Sequence, residues 1–431
     1  MNDNKTMEFV EKPAIEARPK VHARKDQFKF ATFASLRHRN FGYLWSGTLL
    51  MGAGQWVQQV TLGWLLYDLT GSSILLGVLN GARAIPFLVV GPIGGVVADR
   101  VNRRSMLLRT EQVLFLTAVF MGFLVAFGYV APWHLFVFTL VTGIAWSFAD
   151  PVRQSLVPNL VPREDLINAV ALNSVANNAT KVMGPVLGGL LIALFGPAGN
   201  FFVQGLAYAG VLIMVYCMEV PQTPAQASQS SMFANMKEGL AYVWSNSLVL
   251  ALILTALVPR LLAVPYQTLM PIFQKDVLRV GPAGLGMLMA APGIGGLIAL
   301  LTLATIANRV RRQGLLMLVA VMLLGIFLVV FSQTTSFPLA LLALVGVGSC
   351  QVLFNATVNT LLHLTIPDEL RGRVMSIYML DRGLMPAGAL LAGTSAHFIG
   401  APATTGIMGF AVLLLAISLA WRVPLLRRVG M

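Results

Sequence analysis

Charge is what this sequence has least of. Only 11% of its 431 residues are Asp, Glu, Lys or Arg, where a soluble domain carries about 25%. A globule of this length could not cover its surface with so few charges, which excludes an ordinary soluble enzyme and a disordered chain. Cysteine is nearly missing as well. Cys217 and Cys350 are the two present, both inside apolar runs, which excludes a disulfide framework. The five histidines (His22, His38, His134, His363 and His397) are scattered without metal-ligand spacing. No phosphate-binding G-x-x-x-x-G-K-[ST] loop and no G-x-S-x-G elbow occurs, so an ATP-driven pump or membrane enzyme is disfavoured, and neither catalytic residues nor a cofactor nor a metal is expected. The net charge is +13, but Lys and Arg fall in short clusters between apolar runs. That is the pattern of membrane-protein loops rather than of a nucleic-acid surface.

What is abundant is apolar side chain: 57% of residues are hydrophobic and the mean hydropathy is +0.76. A helix needs about 20 mostly apolar residues to cross a bilayer. Twelve runs meet that length, at 43–67, 74–98, 106–128, 133–157, 167–195, 199–218, 247–273, 283–306, 314–331, 338–362, 374–398 and 403–422. They are too long and too uniformly apolar for the ~10-residue alternating strands of a membrane barrel. The expected fold class is therefore an all-α polytopic membrane protein with twelve transmembrane helices. Basic residues crowd the segments before run 1 and after runs 2, 4, 8, 10 and 12. The loops after runs 1, 3, 5, 9 and 11 have none, and Lys275 and Arg279 after run 7 are the exception. This places both termini on the cytoplasmic side of a bacterial-type inner membrane.

The polar opening, rich in Lys, Glu and Pro, reads as a cytoplasmic tail rather than a signal peptide. The expected organisation is a tail over 1–40, a six-helix half over 41–218, a linker over 219–246, a second half over 247–422 and a short tail over 423–431. Within the linker, Phe233, Met236, Leu240 and Val243 recur at helical spacing, as in an amphipathic helix on the membrane surface. The halves repeat each other. Ala98-Asp99-Arg100-Val101-Asn102-Arg103-Arg104 after run 2 matches Ala307-Asn308-Arg309-Val310-Arg311-Arg312 after run 8, and Pro162-Arg163-Glu164-Asp165-Leu166 matches Pro367-Asp368-Glu369-Leu370. Such repeats occur in transporters built around a midplane site.

Two motifs carry a family resemblance. Gly91-Pro92-Ile93-Gly94-Gly95, followed by Asp99-Arg100 and Arg103-Arg104, resembles the loop 2–3 signature of the major facilitator superfamily. Asn102 stands where that family usually has Gly, a position Asn tolerates. Gly184-Pro185-Val186-Leu187-Gly188-Gly189 resembles the superfamily's antiporter motif, in which small residues pack helices closely and a proline is expected to kink one. Asp150-Pro151-Val152-Arg153-Gln154-Ser155 and the segment Pro367 to Ser376 are similar to the branch of enterobactin exporters, macrolide efflux proteins and transmembrane secretion effectors. The resemblance covers about 35–425. It implies the superfamily fold, export of a small molecule such as a siderophore or drug, alternating access and proton antiport, by a monomer. Asp99 is then expected to latch against the start of run 11, where a helix dipole favours an anion. A lysophospholipid flippase and a non-transporting sensor or assembly partner stay open as alternatives.

Ionisable groups at membrane depth are costly and mark function. Arg83, Lys181, Arg260, Arg382 and Asp381 fall deep in their runs, and Asp150, Arg153 and Glu111 lie nearer the cytoplasmic ends. Glu111 is expected to pair with Arg104 or Arg109, with proton coupling as the other reading. Arg153 is expected to join Asp150 in a gating network. Asp150 or Asp381 is expected to carry the proton, although Asp381 could instead neutralise Arg260 or Arg382. Gln55, Gln58 and Gln59 mark the middle of run 1. Asn173, Asn177 and Lys181 share one helix face, as do Gln351, Asn355 and Asn359. These stripes line a wet cavity or bond between helices, and the cavity is preferred. Because the deep charges are mostly cationic, with Lys181 and Arg382 equivalent by the repeat, the substrate is expected to carry an anionic group.

Overall fold

The computed structural model describes residues 31–90, 102–219, 232–306, 312–379 and 383–423. Every regular element among them is a helix. A 3-10 turn, Ala31–Arg37, leads into α1 (Arg39–Thr70). α2 (Ser73–Val89), α3 (Arg103–Ala126), α4 (Pro132–Leu160) and α5 (Leu166–Cys217) follow. α6 (Met232–Ser245) precedes α7 (Ser247–Val258). Then come α8 (Pro282–Ile306), α9 (Gln313–Gln333), α10 (Phe337–Thr365), α11 (Asp368–Met379), α12 (Met385–Ile399) and α13 (Ala401–Arg422).

Eight helical runs among the described residues are long and apolar enough to cross a membrane. α5 spans 52 residues and bends at Gly196, whose φ of 70° and ψ of 177° suit glycine almost alone. It thus joins two of the expected runs, 167–195 and 199–218. Pro185 is the expected kink, yet Gly196 is the position where α5 leaves helical φ/ψ; losing one amide donor need not take the backbone out of the helical region. α1 has the length but carries three glutamines in its middle. α2 is described only to Val90, and the expected run 374–398 appears as α11 and α12, with 380–382 between them outside the described residues. After α7 the chain stays helical in changed windings through Pro259–Ala263, Val264–Leu269, Met270–Ile272 and Phe273–Val277. Prolines at 259, 265 and 271 each remove an amide donor, which breaks the i→i−4 ladder locally.

The helices before the linker meet those after it along two seams, α5 on α8 and α2 on α12. Glycines permit both. A Cβ on Gly189 would stand 2.5 Å from the Pro282 carbonyl oxygen and 2.8 Å from Gly286 Cα, and one on Gly393 would stand 2.5 Å from the Ser73 carbonyl oxygen and 2.9 Å from Gly77 Cα. With no lipid-excluding hydrophobic drive inside a bilayer, such close backbone approach is what holds membrane helices together. Both crossings lie within a few residues of the helix ends at Ser73, Pro282 and Ile399, so they fall at the end of the bundle opposite Arg39.

The linker helix packs on α11. Arg373 forms an ion pair with Glu238, and the open face at Gly239 lies against Arg373 and Ile377. Val243 of the expected amphipathic stripe is buried, whereas Leu240 is 45% exposed. Before α1, the Ser35 amide donates to Asn168 Oδ1 at 3.0 Å, and His38 Nε2 lies 2.8 Å from Asp165 Oδ2. The segment just before α1 is thereby tied to the start of α5.

Candidate functional site

A cavity of about 620 Å³ lies between the two sets of helices. α1 contributes Trp56 and Gln59, and α2 contributes Asn80, Arg83 and Phe87. The irregular stretch after α7 contributes Arg260, Gln267 and Thr268, and Gly383, Met385 and Ala389 close it from the α12 side. Arg83 sits ten residues along α2 from Ser73, about 15 Å at 1.5 Å per residue. Arg260 sits thirteen residues along from Ser247, about 20 Å from the other end. Counted from opposite ends, both reach the middle of a ~30 Å layer. The Arg83 guanidinium carbon lies 5.7 Å from the centre of the buried Trp146 ring. Among the described residues that line this cavity there is no acid.

The cavity is shut at the end where α1 finishes. Tyr67 Oη donates to the Asp276 carboxylate, and Lys275 Nζ bonds Asp68 Oδ1 at 2.7 Å. Lys275, the exception to the basic-loop pattern, therefore has a structural partner on α1. Gly63 lets α1 approach the irregular stretch, since a Cβ there would stand 3.3 Å from Pro271 Cγ.

A second, polar cavity of about 140 Å³ lies within the helices before the linker. Gln55, Asp150, Arg153, Asn173 and Asn177 line it together with Thr48 and Gln154. Arg153 reaches out of this group to Glu111: Nη2 and Oε1 are 2.6 Å apart, with side chains 7% and 0% exposed. This corrects the expected partners of Glu111. Arg104 instead donates to the carbonyls of Val215, at 3.3 Å, and Tyr216, and its guanidinium carbon lies 5.6 Å from the Tyr216 ring centre. It caps the last turn of α5, where the helix dipole favours a cation. Arg109 is exposed on α3. Glu111 follows Arg104 by seven residues and Arg109 by two, and only the partner from α4 reaches the buried side of α3.

Gln58 faces neither cavity. It is 2% exposed, donates to Thr142 Oγ1 at 3.0 Å and accepts from Gln204 Nε2 at 2.6 Å. Gln204 also reaches the Tyr208 hydroxyl at 3.1 Å, and Asn200 donates to Thr61 and to the Gly188 carbonyl. These bonds join α1, α4 and α5, because a buried amide away from water must find a partner. Reading the sequence alone misses Asn200, Gln204 and Tyr208, though they recur every four residues as the other polar stripes do. Of those stripes, Lys181 is exposed with Nζ 3.5 Å from Asn178 Oδ1. Gln351 and Asn355 are half-buried and Asn359 is exposed on α10, and none of the three lines either cavity. The paired cations that the structure brings to one cavity are Arg83 and Arg260. Arg382, with Asp381, Gly95, Asp99 and Arg100, lies outside the described residues. Arg103 begins α3, half-buried.

The antiporter-like motif packs α5 on two neighbours. A Cβ on Gly184 would stand 2.5 Å from Trp56 Cβ and one on Gly188 would stand 3.2 Å from Val57 Cα, both on α1. Gly189 faces α8, as described above, and the Pro185 carbonyl lies against Gly286.

A helical bundle with a cavity between two sets of helices is the architecture of a membrane transporter, and comparison with known proteins identifies which kind. The family described as transmembrane secretion effector matches residues 30–429, and the chain belongs to this family of the major facilitator superfamily. The chain is similar to the staphyloferrin A transporter of Staphylococcus aureus, 26% identical over 376 residues, covering 86% of this chain and 93% of that one. It is 27% identical over 380 residues to the multidrug efflux pump Tap of Mycolicibacterium fortuitum, covering 86% and 92%. It is 21% identical over 365 residues to macrolide efflux protein A of Streptococcus pyogenes, covering 84% and 90%. Among solved structures, a point mutant of the nucleoside transporter NupG superposes with a TM-score of 0.73 at 13% identity, covering 88% of this chain and 99% of that one. A bacterial homologue of the lysosomal transporter Spinster gives 0.71 at 14%, covering 94% and 98%.

Proposed function

We propose that this chain exports a small amphipathic molecule across the bacterial cytoplasmic membrane by alternating access, driven by proton antiport. The observation that carries the reading is the cavity of about 620 Å³, bounded by helices from both sides of the linker and shut at the Thr70 end. A site reached from one face at a time is what coupled transport requires. Relatives named as efflux proteins support export over uptake. In this reading 41–218 and 247–422 rock against each other about the two glycine seams, both termini face the cytoplasm, and one copy of the chain suffices. Asp99 and the arginines after it latch the cytoplasmic ends together, and Asp150 or Asp381 carries the proton.

The test uses everted membrane vesicles containing the chain, energised to a proton gradient and offered a panel of fluorescent amphipathic anions and cations. Expected is gradient-dependent accumulation of at least one of them, collapsing with an uncoupler. No accumulation of any probe by vesicles that hold folded protein would overturn export, and accumulation indifferent to the uncoupler would overturn antiport. Asp99→Asn is expected to cut that uptake several-fold at normal expression; wild-type uptake by the variant removes the latch.

A further inference from the structure

We infer that the small polar cavity is the coupling-proton site: Asp150 carries the proton there, and Arg153 is the counter-ion that Asp150 shares with Glu111. The inference rests on the chain being a proton antiporter and adds where the proton binds and which neighbours hold that place.

The group holds two carboxylates and one guanidinium. Arg153 Nη2 lies 2.6 Å from Glu111 Oε1, while its Nε and Nη1 are buried with no hydrogen-bond partner. Asp150 precedes Arg153 by three residues on α4, a spacing that sets side chains about 5–6 Å apart at Cβ, and both line the polar cavity. A guanidinium presents its N–H donors as a fork, so Arg153 can keep Glu111 and still offer its spare donors to Asp150. With both acids ionised the trio carries one excess negative charge at membrane depth, where charge is costly. One proton removes it. The Glu111 side chain is 0% exposed and bonded to Arg153, so Glu111 is the acid that stays ionised. Asp150 is half-buried beside the cavity and is the acid that a proton can reach.

The cavity supplies the route. About 140 Å³ has room for roughly four waters at ~30 Å³ each. Its wall is polar, with Thr48 and Gln55 from α1 and Asn173 and Asn177 from α5. Asn177 and Gln154 in that wall are exposed, so solvent reaches Asp150 although it lies about 15 Å in from the Leu160 end of α4. Gln55 and Gln59 stand about one turn apart on one face of α1, the first in the polar cavity and the second in the large one. The two cavities therefore follow each other along α1, and the proton site adjoins the site of the transported molecule. Of the cations on the neighbouring helices, Arg83 lies against Trp146, which stands one turn before Asp150 on α4. Lys181, one turn after Asn177 on α5, has its Nζ 3.5 Å from Asn178 Oδ1.

The test is infrared spectroscopy of the purified full chain in lipid, titrated through neutral pH, in which a protonated carboxyl shows a C=O band apart from the amide bands. Expected in the wild-type chain is such a band, present at about pH 6 and lost by about pH 9. It should shift promptly on exchange into heavy water and be missing from Asp150→Asn. Arg153→Gln should move the midpoint of the band up by about one pH unit or more, and Glu111→Gln, which leaves Arg153 to Asp150 alone, should move it down. Side chains that only pack would not give these opposite shifts. A wild-type chain with no such titrating band overturns the inference without any variant having to fold. An unchanged band in Asp150→Asn also overturns it. So does a band that sodium chloride removes and choline chloride does not, since the occupant would then be a metal cation. The Asp150 band in a chain that accumulates no probe in everted vesicles supports the proton site and sinks antiport. Uncoupler-sensitive uptake that Asp150→Asn leaves at the wild-type level sinks the site and leaves antiport standing.

Discussion

Glu111 and Arg153 form a buried pair whose loss has a calculable cost. Their closest nitrogen and oxygen are 2.6 Å apart and the side chains are 0% and 7% exposed. At an effective dielectric of about 20, charges that close attract by roughly 6 kcal/mol. Removing two ions from water costs several kcal/mol each, so the intact pair contributes little net stability. Removing one partner is different. Arg153 already has Nε and Nη1 without a hydrogen-bond partner, and in Glu111→Gln it would stay charged without its hydrogen-bonded carboxylate. A loss of ~3–5 kcal/mol follows, or roughly 3–6 °C in the unfolding midpoint for a chain of this length. Cys350 is buried in α10 and Cys217 is exposed. A thiol-reactive fluorogenic dye on a Cys217→Ser background therefore reports unfolding through Cys350. The double change Glu111→Leu/Arg153→Met deletes both charges and should restore at least wild-type stability. A Glu111→Gln midpoint equal to wild type, or a double variant less stable than either single one, would refute the reasoning.

Other perturbations test the packing around the cavity. Gly189→Ala should cost ~1–3 kcal/mol by the same scan, because its Cβ meets the backbone of Pro282 and Gly286 on α8. Gly372→Ala has nothing within 4 Å in its helix and should be neutral or gain up to ~1 kcal/mol; equal effects at the two sites would contradict the seam. Gln204→Leu should lose ~1–3 kcal/mol, since the Gln58 oxygen loses its 2.6 Å donor, and an unchanged midpoint would dismiss the network. The Asp68–Lys275 pair is nearly half exposed, so it holds the Thr70 end shut by at most ~1 kcal/mol. Asp68→Asn with Tyr67→Phe should therefore speed labelling of Gln59→Cys by an impermeant maleimide outside intact cells, roughly two- to fivefold. Identical rates would mean that these contacts do not close the cavity.

The architecture was legible in the order of residues because the bilayer imposes a length and a composition on each helix. Apolar runs, basic loops, the repeat between the halves and the motifs at 91–104 and 184–189 were enough to place the chain in the major facilitator superfamily. The boundary at Gly196 and the changed windings after α7 are local events, tied to a positive φ and to the missing amide donors of Pro259, Pro265 and Pro271. What remained hidden were the partners. Glu111 reads in the sequence against Arg104 and Arg109, its neighbours in the chain, but its ion pair comes from α4, 42 residues away, because helix packing turns that face of α3 inward. Gln58 and Gln59 are adjacent in sequence and indistinguishable there. A turn of about 100° per residue sends one into a hydrogen-bond network and the other into the cavity. Arg83 and Arg260 were each conspicuous as cations at membrane depth. Only the tertiary structure brings them to one cavity, because helix periodicity sets which face a residue occupies, whereas the glycine crossings between distant helices decide what that face meets.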